Sequence, residues 1–245
     1  MKQPDFDRSP TLADYANGRD NNFNLLRFFA AFAVLIDHSF VVINGTPAAE
    51  PLRQSLGITL GTIAVEAFFL MSGFLVTASL LERQSLAGFL WARVLRIYPA
   101  LIVMVLICVL LLGPVFTSLP AAEYFAHPDT LRYVLVNGSL YGTTAFTLPG
   151  VFDTLPWQRY VNASLWTLPH EMRMYLLLAV LWVALWVLRT RRIRALGVLI
   201  VALALAAMVA IFTNYALGLD DKLVLRMAGA FLLGGAFRVL RHRIP

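Results

Sequence analysis

Apolar residues gather in six runs, at about 23–43, 58–80, 99–117, 166–188, 195–213 and 223–240. Each approaches the length that crosses ~30 Å of hydrocarbon, the third and last being the shortest. The pattern predicts an all-α fold: a polytopic helical bundle integral to a membrane, with about six transmembrane spans. The expected organisation is a polar tail at 1–22 and a transmembrane domain at 23–245. The one long hydrophilic segment, 118–165, forms a loop of a length that argues for function. Within it, 129–141 reads as a short helix, and Leu148-Pro149-Gly150 and Leu155-Pro156-Trp157 read as turns.

Composition sharpens this picture. A hydrophobic share of 59% and a mean hydropathy of +0.72 exclude a soluble domain. The tail holds four Asp and no apolar stretch, so no cleavable leader is expected. Cys108, the single cysteine, lies inside a span and reads as a small core hydrophobe. Basic residues set the orientation. With the N-terminus in the cytoplasm, 13 of the 20 Lys and Arg fall in cytoplasmic segments, Arg189, Arg191, Arg192 and Arg194 in a single turn. Outer segments keep five (Arg53, Arg132, Arg159, Lys222 and Arg226), while Arg27 and Arg173 lie within spans. Both termini are therefore expected in the cytoplasm. The pI of 9.8 reflects topology, and nucleic acid need not be invoked.

The candidate chemistry begins in the first span, where ten residues separate Arg27 from His38. Eleven steps of ~100° return to within ~20° of the starting direction, so both side chains leave one face, roughly 16 Å apart along the axis. Ionisable groups inside a span are costly and argue for a functional site. The plainer account is a snorkelling arginine and a hydrogen-bonded core histidine. Glu66, in the second span, lies at a depth comparable with His38; otherwise it is a carboxyl held for packing. Ser72-Gly73 reads as a point of close helix contact.

Arg93 and Arg96, at i and i+3, share a helix face, beside Trp91, Leu95 and Tyr98, which suit a membrane interface. Pro99 ends this amphipathic piece or opens the next span. The two arginines are either topology signals or a phosphate clamp suited to the guanidinium fork. In the fourth span Pro169 precedes His170 and Glu171. Glu171 either complements the helix dipole or belongs to a site, and Tyr175 shares its face. Asp153, Trp157 and Asn162 of the loop are candidate sugar contacts. Gly229, Gly234 and Gly235 suggest close packing of the last span. Neither an internal repeat nor a metal-ligand cluster emerges.

Four of these stretches, in this order, resemble the membrane-bound acyltransferase family 3. They are Asn22-Phe23-Asn24-Leu25-Leu26-Arg27 with His38, Glu66-Ala67-Phe68-Phe69-Leu70-Met71-Ser72-Gly73-Phe74-Leu75, Arg93-Val94-Leu95-Arg96-Ile97-Tyr98-Pro99, and Ser164-Leu165-Trp166-Thr167-Leu168-Pro169-His170-Glu171. The resemblance covers the chain from 21 to 240. It implies transfer of an acyl group, often acetyl, from coenzyme A to a hydroxyl of a cell-surface or lipid-linked carbohydrate, in the plasma membrane of a bacterium. It implies required roles for Arg27 and His38, with His38 the catalytic residue, and maps the family's basic pair onto Arg93 and Arg96.

The chain departs from the family in two ways. His170 stands where an aromatic or aliphatic residue is usual, which would bring a second imidazole to the site. Family members also usually have about ten spans, so either the other helices are dispensable or the domain is C-terminally truncated.

The residues and the resemblance together place Arg27, Arg93 and Arg96 at the cytoplasmic side, toward acyl-CoA, which is a substrate and not a permanently bound cofactor. His38, Glu66 and Glu171 fall in the outer half. His38 would act as general base with Glu66 or Glu171 orienting it, His170 being the competitor. No metal is expected. The rival readings are a transporter or flippase for a surface-polymer intermediate, built on a helix broken at Pro169, and an inactive truncated family member.

Overall fold

Pro99 sits inside a helix, not at the edge of one. In the computed structural model, which describes residues 9–16, 21–188, 192–219 and 223–245, the amphipathic piece and the third apolar run form one helix, Leu86–Phe116, of 31 residues. This corrects the expected break at Pro99 and makes the third span the longest of the six. Proline removes one backbone bond and crowds the carbonyl one turn back. That local cost is outweighed, because an apolar environment penalises every further unpaired backbone group if the helix stops.

Among the described residues, six helices are long and apolar enough to cross a membrane: α1 (Phe23–Asn44), α2 (Leu60–Arg83), α3 (Leu86–Phe116), α4 (Ala163–Val187), α5 (Ile193–Ala216) and α6 (Leu223–Leu240). Among the described residues, regular structure is otherwise short helices and one antiparallel bridge, Thr117 to Val151. Most of the N-terminal tail, the start of the basic turn at 189–194, and Lys222 lie outside the described residues.

The chain forms two compact units. The first comprises Met1–Phe32, Glu66–Glu82 and Leu185–Pro245. In it α5 and α6 run antiparallel: Gly197 faces Val239 at one end, and Gly229 faces Met208 and Ile211 at the other. The inner part of α2 crosses α6 with almost no side chain between them. A Cβ on Gly73 would overlap the Phe231 carbonyl, and one on Gly234 the Leu70 carbonyl. Small residues let helix backbones approach where lipid gives no hydrophobic drive to associate. Arg238 pairs with Glu82, and its guanidinium lies 5.5 Å from the Phe74 ring.

The second unit comprises Ala33–Val65 and Arg83–Ala184. Here α3 contains a π-helical segment, Cys108–Leu112. Such a segment disturbs the regular carbonyl ladder, and the Tyr124 hydroxyl donates to the Val109 carbonyl at 3.1 Å. Gly113 leaves the space that this hydroxyl fills. Burial raises the Tyr124 pKa to about 12, which keeps it a donor. The 118–165 segment holds two helices, Ala121–Ala126 and Pro128–Ser139, one of them close to the expected 129–141. Asn137 then brackets Ala145, donating to its carbonyl at 2.9 Å and accepting from its amide at 3.0 Å.

Candidate functional site

In this second unit Arg93 and Arg96 of α3 meet Glu171 and Tyr175 of α4. Arg93 is half-buried, with its guanidinium 5.7 Å from the Phe89 ring centroid and 5.6 Å from that of Tyr175. Both rings are fully buried. Tyr175 follows Glu171 by one helical turn, and its hydroxyl donates to Glu171 Oε1. Arg93 lies within electrostatic reach of both. One turn further along α3, Arg96 and Glu171 line one cavity of about 400 Å³. Its walls are mainly apolar, among them Leu101, Met104 and Leu168, and Asn162 and Ser164 add polar groups. Asn162 donates to the Met104 sulfur at 2.9 Å.

For Arg96 and Glu171 this arrangement differs from the expected segregation of charges by depth. Counting residues from the span ends puts Arg93 and Arg96 near one membrane surface and Glu171 toward the other. Because α3 begins at Leu86 and not at Pro99, its arginines lie well inside the helix. Antiparallel packing against α4 then brings Arg96 and Glu171 into one cavity lining. The two arginines of the expected clamp also differ in their surroundings. Arg93 lies over two rings, whereas Arg96 is exposed.

The two histidines differ in the nitrogen they have available. His38, half-buried on α1, has Nδ1 2.8 Å from the Val34 carbonyl. A carbonyl only accepts, so Nδ1 carries the hydrogen and Nε2 holds the basic lone pair. His170 has Nδ1 3.2 Å from an Arg173 nitrogen. A guanidinium only donates, so that Nδ1 is the acceptor and the ring's basic nitrogen is occupied by a cation. Trp166 lies edge-on at 5.8 Å, and Arg173 also donates to the Gly142 carbonyl at 3.1 Å.

Pro169 falls in the first turn of the helix Thr167–Val187, where its missing N–H has little to bond; the helix is not broken there. Glu66, in the first unit, has Arg226 as its partner at 2.5 Å. The distribution of basic residues puts Arg226 in an outer segment, but it belongs to α6. Arg27 reaches Asn24 Oδ1 at 3.4 Å on its own helix. Of the candidate sugar contacts, Asn162 lines the cavity, Asp153 pairs with Arg159 at 2.8 Å, and Trp157 packs on Tyr160 at 5.0 Å.

Asp37 is a residue that the sequence reading passed over. It is buried, and Oδ1 accepts from the Gly61 amide at 3.1 Å. Glu50 accepts from the neighbouring Leu60 amide at 3.4 Å. Two acids thus meet the free amides at the start of α2, where the helix dipole favours negative charge. An Asp inside an apolar run, directly before His38, was the available signal.

These features define a class: an integral membrane protein of helices that carries an open cavity with an arginine and a carboxylate in its lining. The acyltransferase domain matches residues 20–245, and the chain belongs to the membrane acyltransferase family 3. It is 31% identical over 197 residues to Nodulation protein 10 of Rhizobium leguminosarum bv. viciae, covering 78% of this chain and 50% of that protein. It is 32% identical over 162 residues to the O-acetyl transferase of Shigella phage Sf6, covering 66% of this chain and 46% of that protein. The chain spans about half the length of the curated relatives it matches. No solved structure matches it.

Proposed function

We propose that this chain is a membrane-bound O-acyltransferase that moves an acetyl group from acetyl-CoA to a hydroxyl of a cell-surface or lipid-linked carbohydrate. The observation that carries the reading is the cavity that joins Arg96 and Glu171, in a chain matched almost throughout by the acyltransferase domain. Its apolar walls suit a thioester-bearing arm, and the guanidinium of Arg96 suits the phosphates or carbonyls of such a donor. The O-acetyl transferase relative favours acetyl as the group transferred.

In this reading His38 is the general base. Its Nε2 takes the proton from the acceptor hydroxyl as the oxygen attacks the thioester carbon. The carbon–sulfur bond breaks, and the departing coenzyme A thiolate takes the proton back from the imidazolium. The Val34 carbonyl holds Nδ1–H and so keeps the ring in the productive tautomer. Of the two carboxylates, Glu171 lines the cavity while Glu66 is paired with Arg226, so Glu171 is the one assigned to the site. Arg93 and Arg96 serve the donor, and the plasma membrane of a bacterium, with both termini in the cytoplasm, is the location.

The test is to incubate the purified protein, in detergent or nanodiscs, with acetyl-CoA and a lipid-linked glycan, and to follow release of the free thiol. Release that depends on the acceptor supports the reading. Passage of the glycan across a proteoliposome with no acetyl-CoA consumed would decide for a transporter.

A further inference from the structure

We infer that Tyr175 is a two-sided positioning residue, whose hydroxyl holds the Glu171 carboxylate and whose ring holds the Arg93 guanidinium. The inference rests on the acyltransferase reading above, and it assigns a role to a residue outside the expected set.

One side chain serves both charged groups: the hydroxyl donates to Glu171 and also meets the Arg93 guanidinium, which lies over the ring. Tyr175 is fully buried, yet it meets two charged groups, Glu171 and Arg93. Its hydroxyl donates to Glu171 Oε1 on the preceding turn. Its ring centroid lies 5.6 Å from Arg93 Cζ, and that of Phe89 lies 5.7 Å from the same atom. A carboxylate facing a cavity of about 400 Å³ has several rotamers open to it. A buried donor one turn away on the same helix selects one of them, and so fixes where the negative charge meets the cavity. An arginine over two aromatic rings is likewise restricted in the positions it can take. Tyr175 therefore couples the acidic group of the cavity to the basic side chain beside it.

Removing only the hydroxyl distinguishes this from a packing role. In Tyr175→Phe the ring stays under Arg93, so coenzyme A should bind by calorimetry within about twofold of wild type. The turnover number with acetyl-CoA should fall about ten- to a hundredfold, as expected for loss of a hydrogen bond to a charged group. In Tyr175→Leu the aromatic face is also lost, and coenzyme A binding should weaken about tenfold as well. That split between turnover and donor binding is the signature.

If Tyr175→Phe turns over like an active wild type, the hydroxyl has no positioning role and the inference fails while the acyltransferase reading stands. If both variants lose binding, turnover and folded yield in parallel, Tyr175 is a packing residue and the inference again fails. A folded wild-type protein that binds no coenzyme A and consumes no acetyl-CoA would sink the acyltransferase reading, and the inference with it.

Discussion

Arg226 of α6 and Glu66 of α2 form an ion pair of 2.5 Å, both side chains largely shielded at 20% and 27% exposure. A carboxylate that reads in the sequence as a partner for an active-site histidine thus has a cation of its own. Removing one member of a shielded pair leaves the other charge uncompensated, which costs about 3–5 kcal/mol when burial is complete and less here. Glu66→Ala and Arg226→Ala should each lower the thermal midpoint in detergent. The double variant should recover part of the loss, and residual acyl transfer should follow the folded fraction. Normal stability of Glu66→Ala with abolished activity would return Glu66 to the site.

His38 and His170 are separable by the same logic of donors and acceptors. His38→Gln keeps a hydrogen-bonding side chain but cannot transfer a proton, so turnover should fall about 10²–10⁴-fold with coenzyme A binding nearly intact. His170→Gln, whose wild-type ring nitrogen already accepts from Arg173, should lose less than tenfold. The opposite ranking of the two variants would move the base to His170.

Arg93 and Arg96 should not respond alike. Arg96 is exposed and lines the cavity, so Arg96→Lys should keep part of the donor affinity, since the charge survives while the fork is lost. Arg96→Ala should lose more. At Arg93 the planar group lies over two rings, a geometry an ammonium cannot reproduce, so Arg93→Lys should resemble Arg93→Ala. Titration calorimetry with coenzyme A reads both comparisons. Equal tolerance of Lys at the two positions would mean that the ring contacts carry no function.

The glycines at the crossing of α2 and α6 should be intolerant. A Cβ at Gly73 or Gly234 would strike the backbone of the facing helix, which cannot move aside as a flexible side chain does. Overpacking of this kind costs about 1–3 kcal/mol or more, so Gly73→Ala and Gly234→Ala should sharply reduce monodisperse protein on size exclusion. Gly138→Ala, with open space around it, is the control and should behave as wild type. Wild-type behaviour of Gly234→Ala would show that the crossing is looser than described.

Much of this was legible in one dimension. Whether a segment can cross a membrane depends on its own length and apolarity, so the runs at 23–43, 58–80 and 223–240 agree with α1, α2 and α6 to within about three residues. The small residues Gly73, Gly229 and Gly234 read correctly as contacts, because in lipid a missing side chain is itself the means of approach. The family was likewise carried by short local patterns, each a fixed spacing along one strand of sequence.

What needed the tertiary structure was everything set by one segment acting on another. The sequence made Pro99 a boundary; the helix runs through it, because a local proline penalty is smaller than that of ending a hydrogen-bonded helix in an apolar medium. It could list Arg96, Glu66 and Glu171 but not pair them, since depth counted from the end of a run carries no register between helices. Packing placed Arg96 with Glu171 and Glu66 with Arg226. Even the proton on His38 depends on which neighbour its ring meets, for the residue is the same imidazole as His170 until a carbonyl faces one and a guanidinium the other.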